Sequence, residues 1–208
     1  MKLTHITKVL TTIVLSGALA ACVTAPQSTT PQVEIAQGQN VSLPSPSSLG
    51  YGLSASQLIT ATWNVDSKTR SEQLPVQLQV NEDKLVLAGF SSWGTRILSL
   101  SYQDDAISTD VLSGLGSILP APEQVLFNLM ITLWPSSAWE APLNKVRWQM
   151  IDSAGSRKIF DSEGNQVIDI KYDNTEKLEG DILFHHLIDG YTIKINTLQH
   201  QKVQLTPQ

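Results

Sequence analysis

The strongest constraint on this chain is an alternation of apolar and polar side chains with a period of two, broken once by a continuous apolar run. Ile59, Ala61, Trp63 and Val65 alternate with Thr60, Thr62, Asn64 and Asp66, and Leu74, Val76, Leu78 and Val80 alternate with Pro75, Gln77 and Gln79. Successive side chains of a strand point to opposite faces, so the pattern predicts strands with one buried face. Turn residues punctuate it at Asn81-Glu82-Asp83, Ser91-Ser92-Trp93-Gly94, Asp104-Asp105, Ser153-Ala154-Gly155-Ser156 and Glu163-Gly164-Asn165. Between them, segments 85–90, 97–102, 107–111, 146–150, 157–161 and 167–172 read as strands. Asp189-Gly190 is a short hairpin signal joining 181–188 to 191–198.

The break lies between Pro122 and Pro135, where Glu123 to Trp134 is apolar nearly all round. Proline just inside the start and just beyond the end is helix punctuation. A helix without a polar face is buried, here against the sheet, and one this short cannot span a bilayer. About nine to eleven strands joined by tight turns form an antiparallel meander. One helix cannot cover a flat sheet of that width, so the sheet is expected to curl. The fold expected is mainly β (α+β): a curved antiparallel sheet or half-open barrel with a helical lid, in one domain over residues 53–202.

The ends of the chain add a location. Lys2 and Lys8 precede an apolar stretch over 9–19, followed by Leu19-Ala20-Ala21-Cys22. That is the layout of an export signal over residues 1–21. A cysteine directly after small residues resembles the bacterial lipobox, which makes Cys22 the expected lipidation site. Cys22 is the only cysteine of the 208 residues, so no internal disulfide can form. Val23 stands where an aspartate would favour inner-membrane retention, so the expected location is the periplasmic face of the outer membrane. Residues 22–52 are rich in Ser, Pro and Gln and read as a flexible tether. Without the signal, 12 basic residues face 19 acidic ones, a net charge of −7. Nucleic acid is therefore an unsuitable partner, and membrane attachment must come from acyl chains on the N-terminus.

These pieces together resemble the outer-membrane lipoprotein receptor LolB and the periplasmic carrier LolA that shares its fold. Ser91 to Arg96 with the following Ile97-Leu98-Ser99-Leu100 resembles the receptor's protruding hairpin, and Leu119-Pro120 through Pro135 its helical insertion. The resemblance is closer to LolB-like lipoproteins of aryl-polyene-type pigment clusters, carried by Leu133-Trp134-Pro135, Arg157 and Tyr191 to Ile195. It implies an unclosed barrel with a greasy concave face that holds acyl chains, and a cargo received from a LolA-like carrier. Trp93 falls where the receptor's tip residue enters the membrane, so membrane insertion by Trp93 is expected. The implied ligand-binding residues are Trp63, Val65, Leu78, Leu98, Leu100, Leu126, Leu129, Met130, Trp148 and Ile170, although a filled core would use the same residues. Arg157 is either a cargo-orienting group or a surface residue.

Catalysis has little support. Gly114-Leu115-Gly116-Ser117 lacks the spacing of a nucleophile elbow, no phosphate-binding glycine loop occurs, and the acidic residues lie scattered in turns. His185 and His186 are neighbours on a strand and cannot share one metal, so neither a metal nor a cofactor is expected. The expectation is a monomeric, non-enzymatic lipoprotein that binds or hands over a hydrophobic cargo. The alternative is a structural or assembly lipoprotein with a protein partner.

Overall fold

The computed structural model describes residues 30–36, 38–114 and 120–205. The expected signal peptide and the lipidation site Cys22 lie outside them.

Ten strands form one antiparallel sheet in the order β7-β6-β5-β4-β3-β12-β11-β10-β9-β8. The strands are β3 (Gly52–Val65), β4 (Lys68–Val80), β5 (Lys84–Phe90), β6 (Arg96–Gln103), β7 (Ala106–Val111), β8 (Gln149–Ser153), β9 (Ser156–Phe160), β10 (Gln166–Tyr172), β11 (Asp181–His186) and β12 (Tyr191–Val203). A separate hairpin, β1 (Gln32–Ala36) with β2 (Gln39–Ser42), precedes them. Two helices follow β7: α1 (Pro122–Leu133) and α2 (Ser136–Lys145). The fold is mainly β, and the sheet is curved and not closed, with β7 and β8 as its edges.

The period-two signal decides which face is covered. Val76, Leu78 and Val80 on β4, Leu85 and Leu87 on β5, and Leu98, Leu100 and Tyr102 on β6 are all buried on the inner face. Helix α1 packs against that face and touches both β7 and β11, strands six places apart in the sheet. At about 4.8 Å per strand they would stand about 29 Å apart if the sheet were flat. A helix about 10 Å wide reaches both only because the sheet curls.

Three expectations are corrected. Among the described residues, two helices lie between the strand groups where one was expected. Ser136–Lys145 contains Pro142 and few apolar residues, which hid its helical character; it is held by Trp139 and Leu143, one turn apart and both buried. The strand expected over 146–150 begins only at Gln149, because Arg147 takes a left-handed conformation (φ 59°) between α2 and β8. The expected tether is also shorter. From residue 30 the chain packs on the body, burying Val33, Ile35, Val41, Leu43 and Leu49 in the common core. The alternation Val33, Ile35 and then Val41, Leu43 is a strand signal hidden by the surrounding Ser, Pro and Gln.

The β1–β2 hairpin therefore belongs to the folding unit. Ile35→Ala should destabilise the protein by about 2–5 kcal/mol in urea unfolding. An unchanged midpoint would show that this segment behaves as a free tether.

Candidate functional site

The inner face changes character along its length. Toward the end where β3 begins, Leu53, Ala55 and their neighbours are buried; toward the β3–β4 turn, Ile59, Ala61 and Trp63 are half-covered and Val65 is exposed. Ile195, Ile193 and Tyr191 on β12 repeat the gradient beside them, paired with or next to Ile59, Ala61 and Trp63. Leu74 on β4 completes the strip and lies over Gly89, where any Cβ would meet its Cδ2 at 3.0 Å. An apolar trough thus runs out from the core along β3 and β12. On β4 it stops at Leu74; beyond it Glu72, Arg70 and Lys68, the cross-strand partners of Ala61, Trp63 and Val65, put charge on the same face.

The ten residues expected to bind ligand divide accordingly. Leu78, Leu98, Leu100, Leu126, Leu129, Met130, Trp148 and Ile170 are buried in the closed interior. Together with Phe127 and Trp139, whose rings meet edge-on at 5.5 Å, all of them but Leu98 belong to the one apolar core between the helices and the sheet. Trp63 and Val65 lie on the open trough. Two surface clefts flank Asp152 instead. One, of about 220 Å³, lies between α2 and β8 against Glu140, Asn144 and Trp148. The other, of about 170 Å³, is bounded by the β8–β9 turn, Tyr172 and Lys177. Polar and charged residues make up most of the lining of both.

Helix α1 is closed onto the sheet by polar contacts as well as by packing. The last four carbonyls of a helix have no partner within it. Arg157, only 1% exposed, donates from Nη1 to Ile131 O at 2.6 Å and Trp134 O at 2.8 Å, and Tyr172 donates its hydroxyl to Thr132 O at 2.8 Å. A guanidinium at a helix C-terminus also meets the negative end of the helix dipole. Its other nitrogens, Nε and Nη2, hold the two oxygens of Asp152 at 2.7 and 2.8 Å. That fork keeps the Asp152 carboxyl below the usual range. The nearby Lys177 amine is lowered to about 8 by burial and by Arg157, and burial raises Tyr172 to about 12. Arg157 therefore neither orients a cargo nor stands on the surface; it fastens α1 to β9.

At its other end α1 is held by Tyr191, whose hydroxyl donates to Asn128 Oδ1 at 3.1 Å and accepts from Gln124 Nε2 at 3.3 Å. His186 stacks on Tyr191 with centroids 5.0 Å apart and rings 10° from parallel. Its Nδ1 accepts the Asp189 backbone N–H at 3.2 Å. Two buried polar atoms have no partner among the described residues, Gln57 Oε1 and Trp139 Nε1. The ties of Arg157, Tyr172 and Tyr191 to α1 were not visible in the sequence, because they join residues tens of positions apart.

The β5–β6 turn presents Trp93 outward, 93% exposed. Ser91 N donates to Thr95 O at 2.8 Å and Gly94 N to Ser91 O at 2.9 Å, with Gly94 at φ +79°, a conformation that favours glycine. The tip is thus an ordered loop holding a bare indole in solvent.

Two outcomes test the fastening of α1. Arg157→Met should cost about 1–3 kcal/mol for each helix carbonyl it orphans, read by chemical denaturation. Burial holds His186 below its ordinary value of 6.5, with Asp189 opposing and His185 adding to the shift. The unfolded chain is then protonated first on acidification. The contribution of His186 is full above about pH 6.5 and is lost as the pH falls through its folded value. The melting temperature should drop between about pH 7 and pH 5, and His186→Gln should reduce that drop. An equal drop in both proteins would contradict this account.

Residues 54–199 match the model of a family described as a protein of unknown function, DUF3261. No curated protein matches the chain. Among solved structures, the chain is similar to a LolA superfamily protein from Nitrosomonas europaea at 6% identity, over 80% of this chain and 96% of that one, with a TM-score of 0.37. It is also similar to a domain assigned to outer membrane lipoprotein sorting from Vibrio parahaemolyticus (10% identity, 74% and 86% covered, TM-score 0.34). A third is a DUF1329 family protein from Desulfovibrio piger (8% identity, 73% and 85% covered, TM-score 0.30).

Proposed function

Because the chain belongs to DUF3261, a family without an assigned activity, its role must be argued from its surfaces, and we propose that it is a non-catalytic, membrane-tethered binder of hydrocarbon chains. One observation carries the reading. The apolar inner face continues past the core as a half-covered trough through Ile59, Ala61, Trp63, Leu74 and Ile193. Each CH₂ of an acyl tail moved there from water contributes about 0.8 kcal/mol.

In its full form the proposal is a LolB-like lipoprotein of the aryl-polyene-cluster type. It acts as a monomer at the periplasmic face of the outer membrane and is anchored by acyl chains on Cys22. Its cargo is a lipid, a polyene-type acyl product or a lipoprotein's acyl groups delivered by a LolA-like carrier. Trp93 enters the bilayer as the tail passes between membrane and trough; an indole suits that interface. Transfer needs only a difference in affinity, with no bond made or broken.

The filled interior favours a second reading, a structural or assembly lipoprotein that binds a protein partner. Native mass spectrometry of the protein purified from its own membrane separates the two. Acyl-bearing adducts removed by Trp63→Asp support the trough; a protein free of adducts supports the second reading. Trp93→Glu should weaken cargo delivery to vesicles while changing stability by no more than about 0.5 kcal/mol, as for any fully exposed site. A large loss of stability would make Trp93 a structural residue.

A further inference from the structure

Five of the nine exposed large apolar residues among the described residues stand at one end of the sheet; Ile151, Leu183, Leu198 and Val203 lie elsewhere. The register places the β3–β4, β5–β6, β9–β10 and β11–β12 turns, and the exit of β7, all at the same end. Val65 (39% exposed), Trp93 (93%), Leu112 (51%), Leu187 (40%) and Ile188 (57%) all stand there. Leu112 donates its N–H to Ile97 O, just below the Trp93 tip. Tyr191 pairs with His186, and Thr192 with Thr62. The four-residue turn 187–190 is therefore level with the tip of the β3–β4 hairpin and beside Val65. Such a turn is ordinarily filled by Gly, Asn, Asp or Ser, so an exposed Leu-Ile pair in it is out of keeping with a purely structural turn.

We propose that the β11–β12 turn, through Leu187 and Ile188, is a second point of bilayer entry, so that the domain stands end-on with a rim of apolar tips in the membrane. This rests on the reading of Trp93 as a membrane residue. The occupant argued for is lipid rather than a folded partner. The apolar residues sit on separate turns with polar residues between them, which hydrocarbon can wrap individually but a rigid surface cannot match as one patch. Around this end Lys68, Arg70 and Arg96 face Asp66, Glu72, Asp110, Asp161, Glu163 and Asp189, a net negative charge, so attachment to an anionic bilayer must come from apolar insertion and is not weakened by salt. The trough opens onto the same rim, where Val65 and Trp63 on β3 give a tail leaving the bilayer an apolar path beside their charged partners Lys68 and Arg70.

The test uses the full-length protein reconstituted into phosphatidylethanolamine/phosphatidylglycerol vesicles. Ile188→Cys, Trp93→Cys and, on the flank of the sheet, Leu198→Cys each carry a fluorescent thiol label, with the unsubstituted chain as the Cys22 background. Lipids bearing nitroxides on the acyl chain should quench the labels at 188 and 93 several-fold more than the label at 198, with or without added salt. Quenching at 93 but not at 188 would overturn the rim while leaving the Trp93 reading intact. Quenching at neither would overturn both. Leu198 is itself 65% exposed, so unequal access to water does not explain a difference.

Discussion

A ten-stranded sheet with one apolar face has more surface to hide than two short helices can cover, and the architecture follows from that mismatch. Curling brings β7 and β11 within reach of one helix, and the β1–β2 hairpin, α1 and α2 then share the concave side. Coverage still ends before the strands do. β3 and β4 run 14 and 13 residues, whereas β5, beside them, has 7, so the β3–β4 hairpin projects beyond its neighbour and its inner face is left half-covered. The trough is the remainder of an incomplete covering; on β3 the apolar alternation continues to the turn, whereas on β4 it ends at Leu74 and charged residues follow on the same face.

Helix α1 is fixed differently from an ordinary core helix. Its middle, with Leu126, Phe127, Leu129 and Met130, is locked by packing, while its two ends are tied by hydrogen bonds from Arg157, Tyr172 and Tyr191. Apolar packing gives energy but little direction, and hydrogen bonds give direction. Arg157 engages two carbonyls of α1 and both oxygens of Asp152, so the end of α1, strand β9 and strand β8 are set relative to one another through one side chain. That side chain is costly to bury and is accepted because its donors are so largely used.

What the sequence made legible was whatever is periodic or local. The strands, their turns, the apolar helix and the curl of the sheet follow from side-chain alternation and from the prolines at 122 and 135. Helix α2 escaped because only Trp139 and Leu143 mark its buried side and Pro142 argues against it. The β1–β2 hairpin escaped because its apolar residues are sparse among residues typical of linkers. Trp93 stood out as an aromatic in a turn, and the structure holds it in solvent. The division of the inner face into closed interior and open trough was not legible, since Leu78 and Trp63 occupy equivalent phases of the same alternation and differ only in what lies above them. Arg157 was beyond reach for the same reason: its partners at 131 and 134 are set by tertiary contact alone.

The magnitudes decide where a tail would lie. Seating it in the interior requires displacing α1, with six large apolar side chains buried at positions 126, 127, 129, 130, 131 and 133. At about 1.5–3 kcal/mol each, their exposure costs about 9–18 kcal/mol. A sixteen-carbon chain offers about 15 methylenes at about 0.8 kcal/mol each, or about 12 kcal/mol, and part of that is spent on ordering the chain. The two figures overlap, and the cost of ordering the tail leaves no driving force for expelling the helix. The tail can lie along the margin, where Ile59, Ala61, Trp63 and Ile193 are already half-exposed and nothing need be displaced. On the proposed function, a tail held there would lie shallowly, and a shallow hold suits a transfer step driven only by relative affinity.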